Sequence, residues 1–173
     1  MKLLKKLFNI LSALVYIIIV MYLLTAAPML LGYRPVMVLS GSMEPAYHVG
    51  SILYYKGTEF EDIKEGDVIT FQAGEDTLVT HRVTAKDEAD KTFITKGDAN
   101  DTEDGSPVKY SQVAGVGSPR SIPFAGYFID AGKKPVVIAG MAGVIIISVI
   151  LDSLFPEKKR KKERTENHEE EQD

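Results

Sequence analysis

Val68-Ile69-Thr70-Phe71 and Thr77-Leu78-Val79-Thr80-His81-Arg82-Val83-Thr84, joined by Gln72-Ala73-Gly74-Glu75-Asp76, decide the fold. The first run alternates as a half-buried strand should, and the second is rich in β-branched residues. The polar, glycine-containing link between them reads as a hairpin connection. The same pattern continues outward. Upstream stand the turn Glu65-Gly66-Asp67, a strand Ser51-Ile52-Leu53-Tyr54-Tyr55, and a short strand Val36-Met37-Val38-Leu39 that runs into Ser40-Gly41-Ser42-Met43-Glu44-Pro45. Downstream, residues 87–91 turn the chain, Phe93-Ile94-Thr95 is a strand ending at Lys96-Gly97-Asp98, and 98–107 is a polar loop. Val113-Ala114-Gly115-Val116-Gly117 is a last weak strand, after which Pro119, Pro123 and Gly126 bend the chain. No stretch of this middle region has helical period, so residues 32–134 are expected to form an all-β domain of about 100 residues with a modest core.

The two ends of the chain differ from this middle. Between Lys6 and Arg34 lie 27 residues without a charge, and a helix over 7–31 would be about 37 Å long, enough to span a bilayer with some tilt. A second uncharged run, 135–151, has 17 residues and extends toward Phe155 if Asp152 sits at the interface. It is read as a second transmembrane helix over 135–155, because its valines and isoleucines leave no polar face; the plainer reading is a buried helix of the soluble domain. Lys2, Lys5 and Lys6 precede the first span and Lys158, Lys159, Arg160, Lys161, Lys162 and Arg164 follow the second. The positive-inside rule therefore places the N-terminus (1–6) and the tail (156–173) in the cytoplasm and the β domain outside, against a weaker contrary signal from Lys133 and Lys134. A cleavable signal peptide is disfavoured at the N-terminus, since the apolar run is too long and Pro28 directly follows the small residues Thr25-Ala26-Ala27. An uncleaved anchor is expected.

Of 173 residues, 45% are hydrophobic and much of that share is concentrated at the ends, so the soluble part is small. With no cysteine, disulfide frameworks and thiolate chemistry are excluded, and with them thiol hydrolases and transpeptidases. The net charge of −4 partly reflects the tail, where a basic block meets an acidic one without apolar period, a composition expected to be disordered.

The run 40–45 bends the backbone where a side chain could stand exposed at a strand end, which suits a reactive serine. Its bland alternative is an ordinary surface turn, and a serine hydroxyl needs a base elsewhere and donors for a developing oxyanion. Of the three histidines, His168 lies in the tail, His48 follows Ser42 on the same loop and is expected to be an exposed side chain, and His81 sits on a strand, where most histidines are structural. His81 is nevertheless the remote imidazole on the serine's side. Asp98, which follows Gly97, and Asp104, which precedes Gly105, are candidates to orient it; their ordinary roles would be an Asx turn and a solvated carboxylate.

Ser40-Gly41-Ser42-Met43-Glu44-Pro45, His81-Arg82-Val83 and Lys96-Gly97-Asp98-Ala99-Asn100, in this order after an N-terminal anchor, resemble type I signal peptidases of the endoplasmic-reticulum type. The resemblance covers about residues 8–130. In the more common bacterial branch a lysine stands where this chain has His81; the histidine branch carries aspartates at positions matching Asp98 and Asp104. The resemblance implies a membrane-bound serine endopeptidase that removes signal peptides after small residues. Ser42 would be the nucleophile, His81 the general base and then acid, and Asp98 or Asp104 the group that holds the imidazole. Ser40 would help the Ser42 backbone N–H form the oxyanion hole. An imidazole suits the base, because a free histidine titrates near 6.5 and is neutral at pH 7 without desolvation. Substrate would add as an extended strand with small residues in shallow pockets, for which Val38, Met43 and Val79 are the candidate lining. The implied partners are signal-peptide-bearing precursors, the lipid bilayer of a cell or endoplasmic-reticulum membrane, and accessory membrane subunits. No cofactor, metal or nucleic acid is expected, since one usable histidine and scattered carboxylates give no ligand spacing. The competing readings are a protease of the same fold that cuts itself or one dedicated partner, and a non-catalytic tethered β-domain that binds exported proteins.

Overall fold

A computed structural model describes residues 2–75 and 77–154. The expected disordered tail, 156–173, lies outside the described residues, as does Phe155. The chain divides into two units, one formed by residues 2–18 and 138–154, the other by 19–137.

The first unit is helical, made of the first part of one long helix and most of another, whose remaining residues belong to the second unit. Helix α1 runs over Lys2–Ala26 and continues through a 3-10 segment, Ala27–Leu31, that Pro28 opens and Gly32 closes with a left-handed φ of 84°. Near the other end of the chain, Pro135–Leu154 forms a second long apolar helix. Among the described residues, Lys6–Leu31 and Pro135–Leu154 are long and apolar enough to cross a membrane. Their side chains are mostly exposed.

The second unit is built on one sheet: β1 (Arg34–Met37), β2 (Ile52–Lys56), β3 (Val68–Gln72), β4 (Leu78–Asp87), β5 (Thr92–Lys96), β6 (Val108–Lys109) and β7 (Val113–Gly117). The spatial order is β1-β2-β7-β3-β4-β5-β6, with every pairing antiparallel. An all-β domain set between two apolar helices in the chain is therefore the architecture. The β3–β4 hairpin closes with Phe71 opposite Val79 and Ile69 opposite His81.

Two details depart from the sequence reading. Val68, Ile69, Thr70 and Phe71 are all buried, so β3 is a central strand covered on both faces rather than half-buried. Ile69 and Phe71 join Phe60, Ile63, Val83, Phe93 and Val108 in the main core, whereas Val68 packs with Met43, Tyr47 and Leu53 under the chain that leaves β1. Thr70 is accommodated there by a hydrogen bond to Thr80 across the ladder, 2.9 Å. The second departure is a helix, α2 (Ala125–Lys133), where a bend was expected. Its one-sided signal is short: Ala125 and Ile129, four residues apart, pack on Ile52 and Tyr54 and cover the second face of β2. Gly126 permits this close approach, because a Cβ there would meet the Gly50 carbonyl oxygen at 2.7 Å. α2 is also tied to the end of α1, with Tyr22 stacked on Phe128 and donating to its carbonyl oxygen at 2.7 Å.

Candidate active site

Ser42 lies in a 3-10 turn, Gly41–Met43, that follows β1. The turn is held from below by Met43, 2% exposed in the core. It is held from the side by the loop after β5, where the Ala99 N–H donates to the Ser42 carbonyl oxygen at 2.9 Å. Gly97 makes that contact possible. A Cβ on Gly97 would stand 2.6 Å from the Ser42 carbonyl oxygen and 2.8 Å from the Asn100 side chain. The Ser42 hydroxyl lies 3.3 Å from Ser40 Oγ and 3.2 Å from His81 Nε2.

His81 projects from β4 and is 8% exposed, with the Phe71 ring edge-on at 6.4 Å. Its other ring nitrogen, Nδ1, lies 2.7 Å from Asp104 Oδ2. Asp104 is brought back to the sheet by its own backbone N–H, which donates to the Thr95 carbonyl oxygen at 2.8 Å. Ser42, His81 and Asp104 thus form one hydrogen-bonded line.

Asp98 is not part of it. Both of its carboxylate oxygens accept from Arg82, at 2.7 Å from Nε and 2.6 Å from Nη2, a two-point grip suited to a planar guanidinium. That hydrogen bond raises the Arg82 pKa further above its usual range. Arg82 also donates to the Gly66 carbonyl oxygen at 2.7 Å, so the pair fastens the loop carrying Gly97 and Ala99 to the strand carrying His81. His48 is exposed as expected and pairs with Glu44 at 2.5 Å.

A groove of about 510 Å³ opens beside the serine. Val38, Met43 and Val79, the expected lining, all face it, together with Ser40 and Ser42, His81 and the exposed Leu39 and Leu78. Tyr47 and Asn100, which the sequence did not single out, line it too. Burial raises the Tyr47 pKa, with Asp98 adding to the rise and Arg82 opposing it; its hydroxyl donates to the Ser118 carbonyl oxygen at 2.7 Å. One bank of the groove is an unfinished strand edge. β5 pairs with β4 from Arg82 onward, so among the described residues, 78–81 have a ladder partner on the β3 side alone.

A serine, a histidine and a carboxylate in line on a β domain have the arrangement of a serine-hydrolase triad. No family model matches the chain. Among curated proteins it is similar to signal peptidase I W of Bacillus subtilis, 42% identical over 89 residues, which are 50% of this chain and 47% of the relative. The catalytic subunit of the signal peptidase complex of Homo sapiens (SEC11C) is 41% identical over 81 residues, 44% of this chain and 42% of that protein. The corresponding catalytic subunit of the fungus Pyrenophora teres f. teres is 34% identical over 127 residues, 65% of this chain and 73% of the relative. The chain belongs to the signal peptidase family. It spans about half the length of the first of these relatives and somewhat less of the second.

Proposed function

We propose that this chain is a membrane-anchored serine endopeptidase that cuts signal peptides from exported precursors after small residues. The observation that carries the reading is the line from Ser42 through His81 to Asp104 beside an unpaired strand edge. In the proposed reaction a precursor enters the groove as an extended strand along 78–81, with its scissile carbonyl over Ser42. His81 Nε2 takes the Ser42 proton as Oγ attacks, and returns it to the leaving amine; a water, deprotonated by the same nitrogen, then releases the signal peptide. Asp104 keeps Nδ1 protonated and stabilises the imidazolium that forms between these transfers. The oxyanion would be held by the Ser42 backbone N–H and the Ser40 hydroxyl, which already lies 3.3 Å from the nucleophile. Val38, Met43 and Val79 would shape the small-residue pockets.

The topology belongs to the same proposal: two spans anchor the chain in a cell or endoplasmic-reticulum membrane, with both ends in the cytoplasm and the β domain on the far side. Two of the relatives are named as subunits of a complex, and accessory membrane subunits are proposed here on that likeness. Copurification from mild detergent would check for them. The function itself is tested by incubating the purified chain in detergent or liposomes with a precursor and sequencing the new N-terminus. Cleavage after a small residue beyond the apolar segment is expected, and intact precursor in the presence of folded protein would refute the reading.

Two further results follow from the geometry. Gly97→Ala pushes a methyl against the Ser42 carbonyl oxygen, and a displacement on the order of 1 Å costs about a hundredfold in rate. Precursor cleavage should fall by that order while circular dichroism stays unchanged. The two aspartates should separate: Asp104→Asn is expected to lower turnover by about a thousandfold or more with little loss of stability. Asp98→Asn breaks the two-point grip on Arg82 and should cost about 1–3 kcal/mol in denaturant unfolding, with a smaller loss of turnover.

A further inference from the structure

The carboxylate that meets His81 has a second side-chain partner. Thr95, on β5 and fully buried, places Oγ1 2.5 Å from Asp104 Oδ2. This is the oxygen that stands 2.7 Å from His81 Nδ1. An ionised carboxylate can only accept, so the threonine hydroxyl donates. The Asp104 backbone N–H donates in return to the Thr95 carbonyl oxygen at 2.8 Å, tying residue 104 to one strand residue by main chain and side chain together. Thr95 lies opposite Val83 on β4, two residues beyond the histidine, so its own place is set by the ladder.

We propose that Thr95 is a positioning residue, whose hydroxyl fixes the rotation of the Asp104 carboxylate so that Oδ2 stays on Nδ1 of His81. The proposal rests on the peptidase reading given above. The need for such a lock is visible in the exposure of the Asp104 side chain, 24%. A carboxylate with that access to water has another place to turn. Held by Thr95 it accepts from Nδ1–H, which leaves Nε2 unprotonated and aimed at the Ser42 hydroxyl. Without the hydroxyl the carboxylate turns toward solvent, and the imidazolium loses part of the negative charge that stabilises it. Among the described residues, the imidazole meets the Asp104 carboxylate, the Ser42 hydroxyl and the Phe71 ring edge.

The experiment compares Thr95→Val, which keeps the shape and loses the donor, with Thr95→Ser, which keeps the donor. Two readouts are taken on the full chain in detergent: precursor kinetics, and the titration of the His81 Hε1 resonance, assigned by its absence in His81→Ala. Thr95→Val is expected to lower kcat about tenfold or more, as loss of a hydrogen bond to a charged group does, with KM changed less than about twofold. It should move the His81 midpoint toward lower pH, and it should have no further effect on rate in an Asp104→Ala background. Thr95→Ser should restore both rate and midpoint. A threonine that only supports folding would leave the midpoint where it is, and that result overturns the proposal. Because the resonance reports on His81 without turnover, a wild-type chain that failed to cut precursor would remove the peptidase reading while the titration still decided the role of Thr95.

Discussion

Ser42→Ala is expected to abolish precursor cleavage and leave the domain folded. Among the described residues the Ser42 hydroxyl meets only Ser40 and His81, at 3.3 and 3.2 Å, and the turn around it is anchored by Met43 and by the backbone bond from Ala99. Losing one partly exposed hydroxyl should cost no more than about 1 kcal/mol of stability. Losing the nucleophile should cost on the order of 5–8 kcal/mol of transition-state stabilisation, several powers of ten in rate. Measured cleavage and thermal unfolding on the same preparation separate the two. A variant that folds, inserts and still cuts at the wild-type rate would remove Ser42 as the nucleophile.

His81→Ala should remove activity to a similar extent, and its signature is in the pH profile. Only the neutral imidazole can accept the Ser42 proton, so the wild-type rate should rise from acidic toward neutral pH as the imidazolium is lost. In His81→Ala that rising limb should vanish along with most of the rate. His81→Lys would supply an amine that is protonated at pH 7 unless desolvated, so any remaining activity should appear only at higher pH. Truncation to alanine also carries a structural cost. His81 is buried against Phe71, and truncating it leaves a small cavity and takes one of two side-chain partners from Asp104 Oδ2, which keeps the Thr95 hydroxyl, together worth about 1–3 kcal/mol. Rates should therefore be normalised to folded protein.

The strands were readable where periodicity and punctuation agree. Residues 68–71 and 93–95 fall in β3 and β5, and the run 77–84 lies in β4 from Leu78 on, because β-branched and aromatic residues there are bounded by glycine and polar turns. The coverage of β3 on both faces was not readable, since it depends on Met43 and Tyr47 folding back from a loop distant in sequence. α2 was hidden for a related reason: nine residues containing two glycines carry little intrinsic helical preference, and the helix is stabilised by packing on β2.

Within the site, the residue types and order of Ser42, His81 and the two aspartates could be read, while the choice of partner for each aspartate could not. Asp98 and Asp104 look alike as loop residues, and only the ladder register brings Arg82 to one and His81 to the other. The arginine beside His81 was itself a signal, because a charged residue on a strand of buried neighbours asks for a counter-ion. Thr95 gave none, since threonine is an ordinary strand residue. Tyr47 and Asn100 became visible only with the groove they line.

The most direct measurement of the central claim is the covalent intermediate. The purified chain is mixed with a precursor, quenched in acid within the first turnover, digested and examined by mass spectrometry. The account predicts the signal peptide esterified to the fragment containing Ser42, present in wild type, absent in Ser42→Ala, and formed more slowly in His81→Ala. An adduct on another residue, or cleavage that persists at the wild-type rate in Ser42→Ala, would contradict it.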